Sequence, residues 1–311
     1  MSRIQADILL VLAAAIWGFA YLFQKTAMAD IGPFTFVASR AIVAALCLAI
    51  VARFEARRAP VQMPASLIRT GILAGIFFFI AAALQQAGIV TATVTNTGFL
   101  TALYVVTTPL MAWLVLRRAP PVIVWPAVVL AFIGVWLLGG GSISGLSIGD
   151  MLVAASALGW SAHLLVVSGA AAHGRPIAFT AIQFAAVAVC ALPLAILFEP
   201  ISVTALTAAA PSILFVGVLS SALTFTILAA ALRHTPPAEA TILVSTEVLF
   251  AAAAGAIFLG DRLTPIGWIG AALMFAATLL VQAGPWLMRG KAAPQPVEPA
   301  LPPDSGRPPG A

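Results

Sequence analysis

The chain matches itself when Asp7 is laid on Asp150, and this internal repeat constrains its architecture more than any other feature. At the same offset Trp17 recurs as Trp160, Pro33 as Pro176, Phe36 as Phe179 and Cys47 as Cys190, and no gap is needed. Ala and Leu matches carry little weight in so apolar a chain, so the comparison rests on these five rarer residues. Each copy is expected to hold an odd number of membrane crossings. The second copy would then be inserted upside down relative to the first.

The chain has 311 residues, of which 62% are hydrophobic and 8% charged, with a mean hydropathy of +1.10. A soluble protein needs roughly a quarter of its residues charged. Apolar stretches of roughly 20 residues recur from end to end, which implies an all-α polytopic membrane protein. The alternation of apolar and polar residues that marks β-barrel strands is missing. Ten spans are predicted: 6–28, 34–52, 70–89, 94–116, 122–139, 149–170, 177–197, 212–232, 238–259 and 265–287. They form two inverted five-helix repeats, 1–139 and 149–287, followed by a Pro-rich tail, 288–311, expected to be disordered. The separators carry breaker residues, among them Gly32-Pro33, Pro120-Pro121, Gly139-Gly140-Gly141 and Pro236-Pro237. Inverted repeats around a midplane site are typical of secondary transporters.

The net charge of +5 does not imply a nucleic-acid partner, because the basic residues lie in short loops between spans and read as topology signals. With the N-terminus in the cytoplasm, twelve of the fifteen Lys and Arg residues fall on the inner side. Both termini are therefore assigned to the cytoplasm. Lys is confined to Lys25 and Lys291 while Arg is plentiful, a composition that fits a GC-rich bacterial genome. A cleavable signal peptide is the alternative for the N-terminus, since Arg3, an apolar stretch and Ala27-Met28-Ala29 have the right order. The same segment recurs at 150–172, where no signal peptide could stand, so it is read as a first transmembrane helix. Cys47 and Cys190 lie in apolar spans without metal or redox spacing and read as small buried hydrophobes. Pro109, Pro126 and Pro193 fall inside spans, where each removes a backbone hydrogen bond. Gly71 and Gly75 are spaced for close helix contact.

Charges inside hydrocarbon cost roughly 2.5–3.5 kcal/mol on insertion scales, so each needs a reason. Glu247 lies about 14 Å into its span and Arg40 about 9 Å, at 1.5 Å per residue. Either they pair with each other or with backbone carbonyls as a structural tie, or they face an aqueous cavity and contact a polar or zwitterionic substrate. His163 sits mid-span, one turn after Trp160; it is either a packing residue or the carrier of a coupling proton. His173 and His234 belong to loops. Trp17, Tyr21 and Gln24 share one face of the first helix. Gln85, Gln86, Asn96, Tyr104 and Gln183 complete the candidate lining, with Gln183 standing at the position equivalent to Arg40. Such a lining suits a small organic solute better than a bare ion.

No Walker A loop, HExxH, GxSxG or metal-spaced carboxylate pair is present, so no enzyme chemistry, cofactor or metal site is expected. Transport would be driven by an ion gradient or be facilitative. The order of several further motifs resembles the EamA-type members of the drug/metabolite transporter superfamily. These are Trp17-Gly18, the run Thr97 to Val106 leading to Pro109, Gly149-Asp150 followed by Trp160, and Leu259-Gly260-Asp261-Arg262-Leu263-Thr264-Pro265 to Gly270. The resemblance covers nearly the whole chain outside the tail. It implies ten helices in two inverted five-helix repeats and movement of metabolites or drugs across a membrane, often outward. It also points to Glu247, in a Leu-x-x-x-Glu-Pro pattern that Leu243 and Glu247 fit. Val248 replaces the proline, leaving no proline to break the helix there. Asp261 stands where the family usually carries Glu.

The leading expectation is an inner-membrane exporter of an amino acid or related amphipathic compound, working by alternating access. A facilitative channel or a drug efflux pump is the alternative, and a membrane-embedded lipid enzyme is the most remote. The expected partners are the bilayer, a small-molecule substrate and a proton as candidate coupling ion, in a monomer or homodimer.

Overall fold

A computed structural model describes residues 1–58, 63–117, 122–138, 146–170, 175–235, 240 and 243–289. The breakers Pro120-Pro121 and Pro236-Pro237, the Gly139–Gly141 link, His173 and the tail from residue 290 lie outside them. The described residues are helical with no strand. The order is α1 Arg3–Ala27, α2 Pro33–Arg58, α3 Ala65–Ile89, α4 Val94–Thr101, α5 Tyr104–Leu116, α6 Val124–Leu138, α7 Ile148–Ala170 and α8 Pro176–Phe198. Then follow α9 Val203–Leu214, a π-helical segment Phe215–Leu223, α10 Thr224–Ala231, α11 Glu247–Ala254, a π-helical segment Gly255–Leu259 and α12 Pro265–Arg289.

Seven apolar helical stretches are long enough to cross a membrane, counting α4–α5 as one and α9–α10 as one. Three more, Trp125–Gly134, Glu247–Leu259 and Pro265–Ala277, are apolar but shorter over the described residues. The chain is a multi-pass membrane protein. Two predicted details are corrected. The helix expected from residue 212 begins at Val203 and runs through Pro211. Pro126 falls in the first turn of α6, where its missing N–H would have had no helical partner, so it does not interrupt a helix interior.

The packing follows small residues. A Cβ at Gly75 would sit 2.5 Å from the Gln183 carbonyl oxygen, and one at Gly71 2.9 Å from Ile182, so α3 lies close on α8. Gly159 admits Ala81 between α7 and α3, and Gly134 brings α6 against the Gly270 carbonyl of α12. Between α2 and α8 the ends are fastened reciprocally. The Glu199 carboxylate, just past α8, accepts the N–H groups of Phe34 (2.8 Å) and Thr35 (2.7 Å) at the start of α2. The Glu55 carboxylate, near the end of α2, accepts those of Ile177 (3.2 Å) and Ala178 (3.0 Å) at the start of α8. The capped amides are mates in the repeat, Phe34 with Ile177 and Thr35 with Ala178. Each carboxylate satisfies two N–H groups that a helix start leaves open and sits at the positive end of the helix dipole. The two helices therefore run antiparallel.

The repeat also governs where helices break. In the first copy Leu103, Val105 and Val106 donate to carbonyls three residues back, at Leu100, Ala102 and Leu103. In the second, Thr246, Val248 and Leu249 do the same to Leu243, Ser245 and Thr246. All three bonds recur at the offset that lays Asp7 on Asp150. Each marks a tight turn, which in the first copy separates α4 from α5 and in the second sets Glu247 at the start of α11 without a proline. Arg117 and Gly260, the two described residues with positive φ (55° and 70°), are likewise mates in the repeat and end their helices.

Candidate functional site

The two helix breaks meet α1, α2, α3, α7 and α10 around a central cavity. It offers about 70 Å³ to the centres of water molecules. At about 10–15 Å³ per water this is room for a few waters, or for a compact organic solute.

Nine predicted residues line it: Trp17, Tyr21 and Gln24 from α1, Arg40 from α2, Gln85 from α3, Tyr104 at the start of α5, Trp160 and His163 from α7, and Glu247 at the start of α11. Trp17 Nε1 donates to the Ser220 carbonyl (2.9 Å) in the first π-helical segment, a geometry frequent at functional sites. Gln85 Nε2 donates to Thr101 Oγ1 (2.8 Å). Tyr104 and Glu247 occupy equivalent places in the two copies. The hydroxyls of Tyr21 and Tyr104 turn toward the Glu247 carboxyl, which is 3% exposed.

Three predicted residues do not line the cavity. Gln86 is buried and donates to the Gln24 carbonyl (3.2 Å), tying α3 to α1. Asn96 donates to Asp150 (3.1 Å). The Gln183 side-chain oxygen lies 2.9 Å from His163 Nε2, behind the wall. His163 is 2% exposed and packs edge-on against Phe78, Trp160 and Phe225.

Of the two alternatives for Arg40 and Glu247, the tie to each other is not made. Arg40, 4% exposed, forms no ion pair among the described residues, and its buried Nε has no hydrogen-bond partner. Its guanidinium stands 5.4 Å from the Phe78 ring centroid, within cation–π range. Trp160 Nε1 is also buried without a partner. Buried donors of this kind are rare in folded proteins, and these two belong to residues that line the cavity. Among the described residues no three His, Cys, Asp or Glu side chains converge as a metal would require.

The lining residues missed in the sequence are Phe78, Thr101, Leu164, Ser220, Phe225, Leu228 and Val244. The offset itself could have found two of them, since Leu164 is the mate of Tyr21 and Leu228 the mate of Gln85. Thr101 and Val244 form a further pair, beside Trp17 with Trp160 and Tyr104 with Glu247. Phe78 and Phe225 carry no signal that distinguishes them from core.

The model of the EamA-like transporter family matches residues 4–140 and again 147–283. An uncharacterized transporter of Archaeoglobus fulgidus is 28% identical over 286 residues, covering 90% of this chain and 87% of its own. The uncharacterized transporter YwfM of Bacillus subtilis is 26% identical over 287 residues, covering 90% and 94%. The threonine/homoserine exporter RhtA of Escherichia coli strain K12 is 34% identical over 185 residues, 56% of this chain and 58% of its own. A solved crystal structure shares the fold at a TM-score of 0.67 and 14% identity, covering 94% of this chain and all of that one. With both copies of the repeat matched and the helices closing around one cavity, the chain belongs to the EamA-like transporter family.

Proposed function

We infer that this protein exports a small organic metabolite, an amino acid or related amphipathic compound, across the bacterial inner membrane. In this reading ten helices form two inverted five-helix halves, 1–139 and 149–287, with both termini cytoplasmic. The halves alternate access to the central cavity. The observation that carries the reading is the cavity itself. Nine of the twelve residues singled out from sequence converge there, at the point where both copies break a helix. Broken helices that meet at mid-membrane expose backbone and side-chain polar groups to a substrate without facing lipid. The size of the cavity favours a compact solute over a bulky drug, and the partial likeness to a threonine/homoserine exporter supports an amino-acid-like cargo and outward direction. An ion gradient drives the cycle, with the proton as the coupling ion.

Purified protein reconstituted in liposomes tests this. Exchange of at least one labelled amino acid from a broad metabolite panel, stimulated by a proton gradient, is the expected result. Failure to move any member of the panel, with or without the gradient, refutes it.

A further inference from the structure

Two ionisable side chains of opposite sign stand buried in the cavity wall, and neither forms an ion pair among the described residues. Arg40 belongs to the first copy of the repeat and Glu247 to the second. Removing a charge from water without a partner is costly, and two such charges beside one cavity leave a place for a third party to complete both pairs. The polarity breaks the internal symmetry. The mate of Arg40 is Gln183, which is turned away onto His163, and the mate of Glu247 is the uncharged Tyr104. Around these poles the copies still match, with Trp17 and Trp160 both in the wall.

Hydrogen-bond chemistry separates the poles further. The partnerless groups of the wall, Arg40 Nε and Trp160 Nε1, can both donate. A carboxylate brings two oxygens with about four acceptor sites and no donor. Ionised, Glu247 offers acceptors and no donor, and an ammonium group brings three donors. Phe78 lies under the guanidinium and holds it in place.

We propose that the cavity is a two-pole site for a zwitterion, in which Arg40 takes the carboxylate, Glu247 takes the ammonium, and the substrate itself becomes the charge bridge between the two halves. This rests on the transport reading and deepens it. A molecule with one charge engages one half and leaves the opposite buried charge uncompensated. A molecule with both charges draws the halves together, so the selection operates on turnover as well as on binding.

The test compares matched trios in proteoliposomes free of phosphatidylethanolamine, so that no ammonium-bearing lipid headgroup competes. Each trio is an amino acid, the acid lacking its amine and the amine lacking its carboxylate: leucine with 4-methylpentanoate and isopentylamine, and the corresponding sets for threonine and phenylalanine. Counterflow at least tenfold faster for the zwitterion than for either single-charge analogue is expected. Arg40→Gln should abolish the preference over the amine, and Glu247→Gln the preference over the acid. Arg40→Lys, which keeps the charge, guards against a folding defect by retaining the preference. Equal rates across a trio overturn the proposal, and so does unchanged selectivity in folded variants. Transport of other metabolites with no member of any trio moved overturns it while leaving the transport reading intact. No transport of anything overturns that reading and the proposal with it.

Discussion

Gly18 is the residue whose replacement by alanine tests the geometry of the cavity most directly. A Cβ there would lie 2.5 Å from Phe250 Cβ, 2.6 Å from the Glu247 carbonyl oxygen and 2.8 Å from the Ala251 nitrogen. Ordinary contact begins near 3.4 Å, so α1 and α11 must separate by about 0.9 Å, and none of the three atoms can rotate away, two being backbone and the third a Cβ. Overpacking of this kind costs about 1–3 kcal/mol. Helix propensity returns up to about 1 kcal/mol of that on exchanging glycine for alanine. Gly169→Ala provides the control, because its added Cβ meets nothing within 4 Å. It gains some of the propensity benefit without the clash. The thermal midpoints of the two variants in detergent, followed by loss of the monodisperse chromatographic peak, should differ by several degrees, with Gly18→Ala the lower. Since α11 carries Glu247, transport should fall at least tenfold. Gly18→Ala melting at or above Gly169→Ala, with normal transport, would refute the close approach of α1 to the second helix break.

Glu247→Gln is expected to cut transport at least tenfold while leaving the yield of folded protein unchanged, whereas Arg40→Ala should also lower the thermal midpoint, because it vacates the space over Phe78. Equal loss of expression in both, measured by fluorescence-detected chromatography, would restore the structural-tie explanation. His163→Ala should leave the pH profile of uptake unchanged, since Nε2 is engaged with Gln183; a flattened profile would make His163 the proton carrier. Glu199→Ala removes two amide caps from α2 and should cost about 1–2 kcal/mol. Glu55→Ala should cost at least as much, because Arg175, 3.7 Å away, loses an ion-pair partner as well. Midpoints unchanged within error in both variants would show that the caps contribute little.

The membrane class, the repeat and most of the polar wall were legible because charged and amide side chains stand out in an apolar chain. Trp17, Tyr21 and Gln24 were found by helical spacing alone, and Glu247 by the cost of burying a carboxylate. Phe78 and Phe225 stayed hidden because an aromatic ring in a wall and one in a core look the same when both are surrounded by Ala, Leu and Val. Gln183 was misplaced because the repeat predicts position along a helix, and its side chain had an alternative partner in His163. The helix breaks were invisible for a different reason. They arise from backbone bonds to the third residue back, which need no proline, and the Val248 substitution pointed the wrong way.

The reciprocal carboxylate caps bear on how the chain is made. As the first half leaves the ribosome, the start of α2 has no cap of its own, because Glu199 belongs to the second copy and has yet to be synthesised. α8 likewise starts against a carboxylate already delivered by Glu55. Neither half carries what its own helix ends require, so the first must wait, incompletely finished, for the second. A gene cut between the repeats should yield two fragments that are degraded when expressed singly and rescue each other when expressed together.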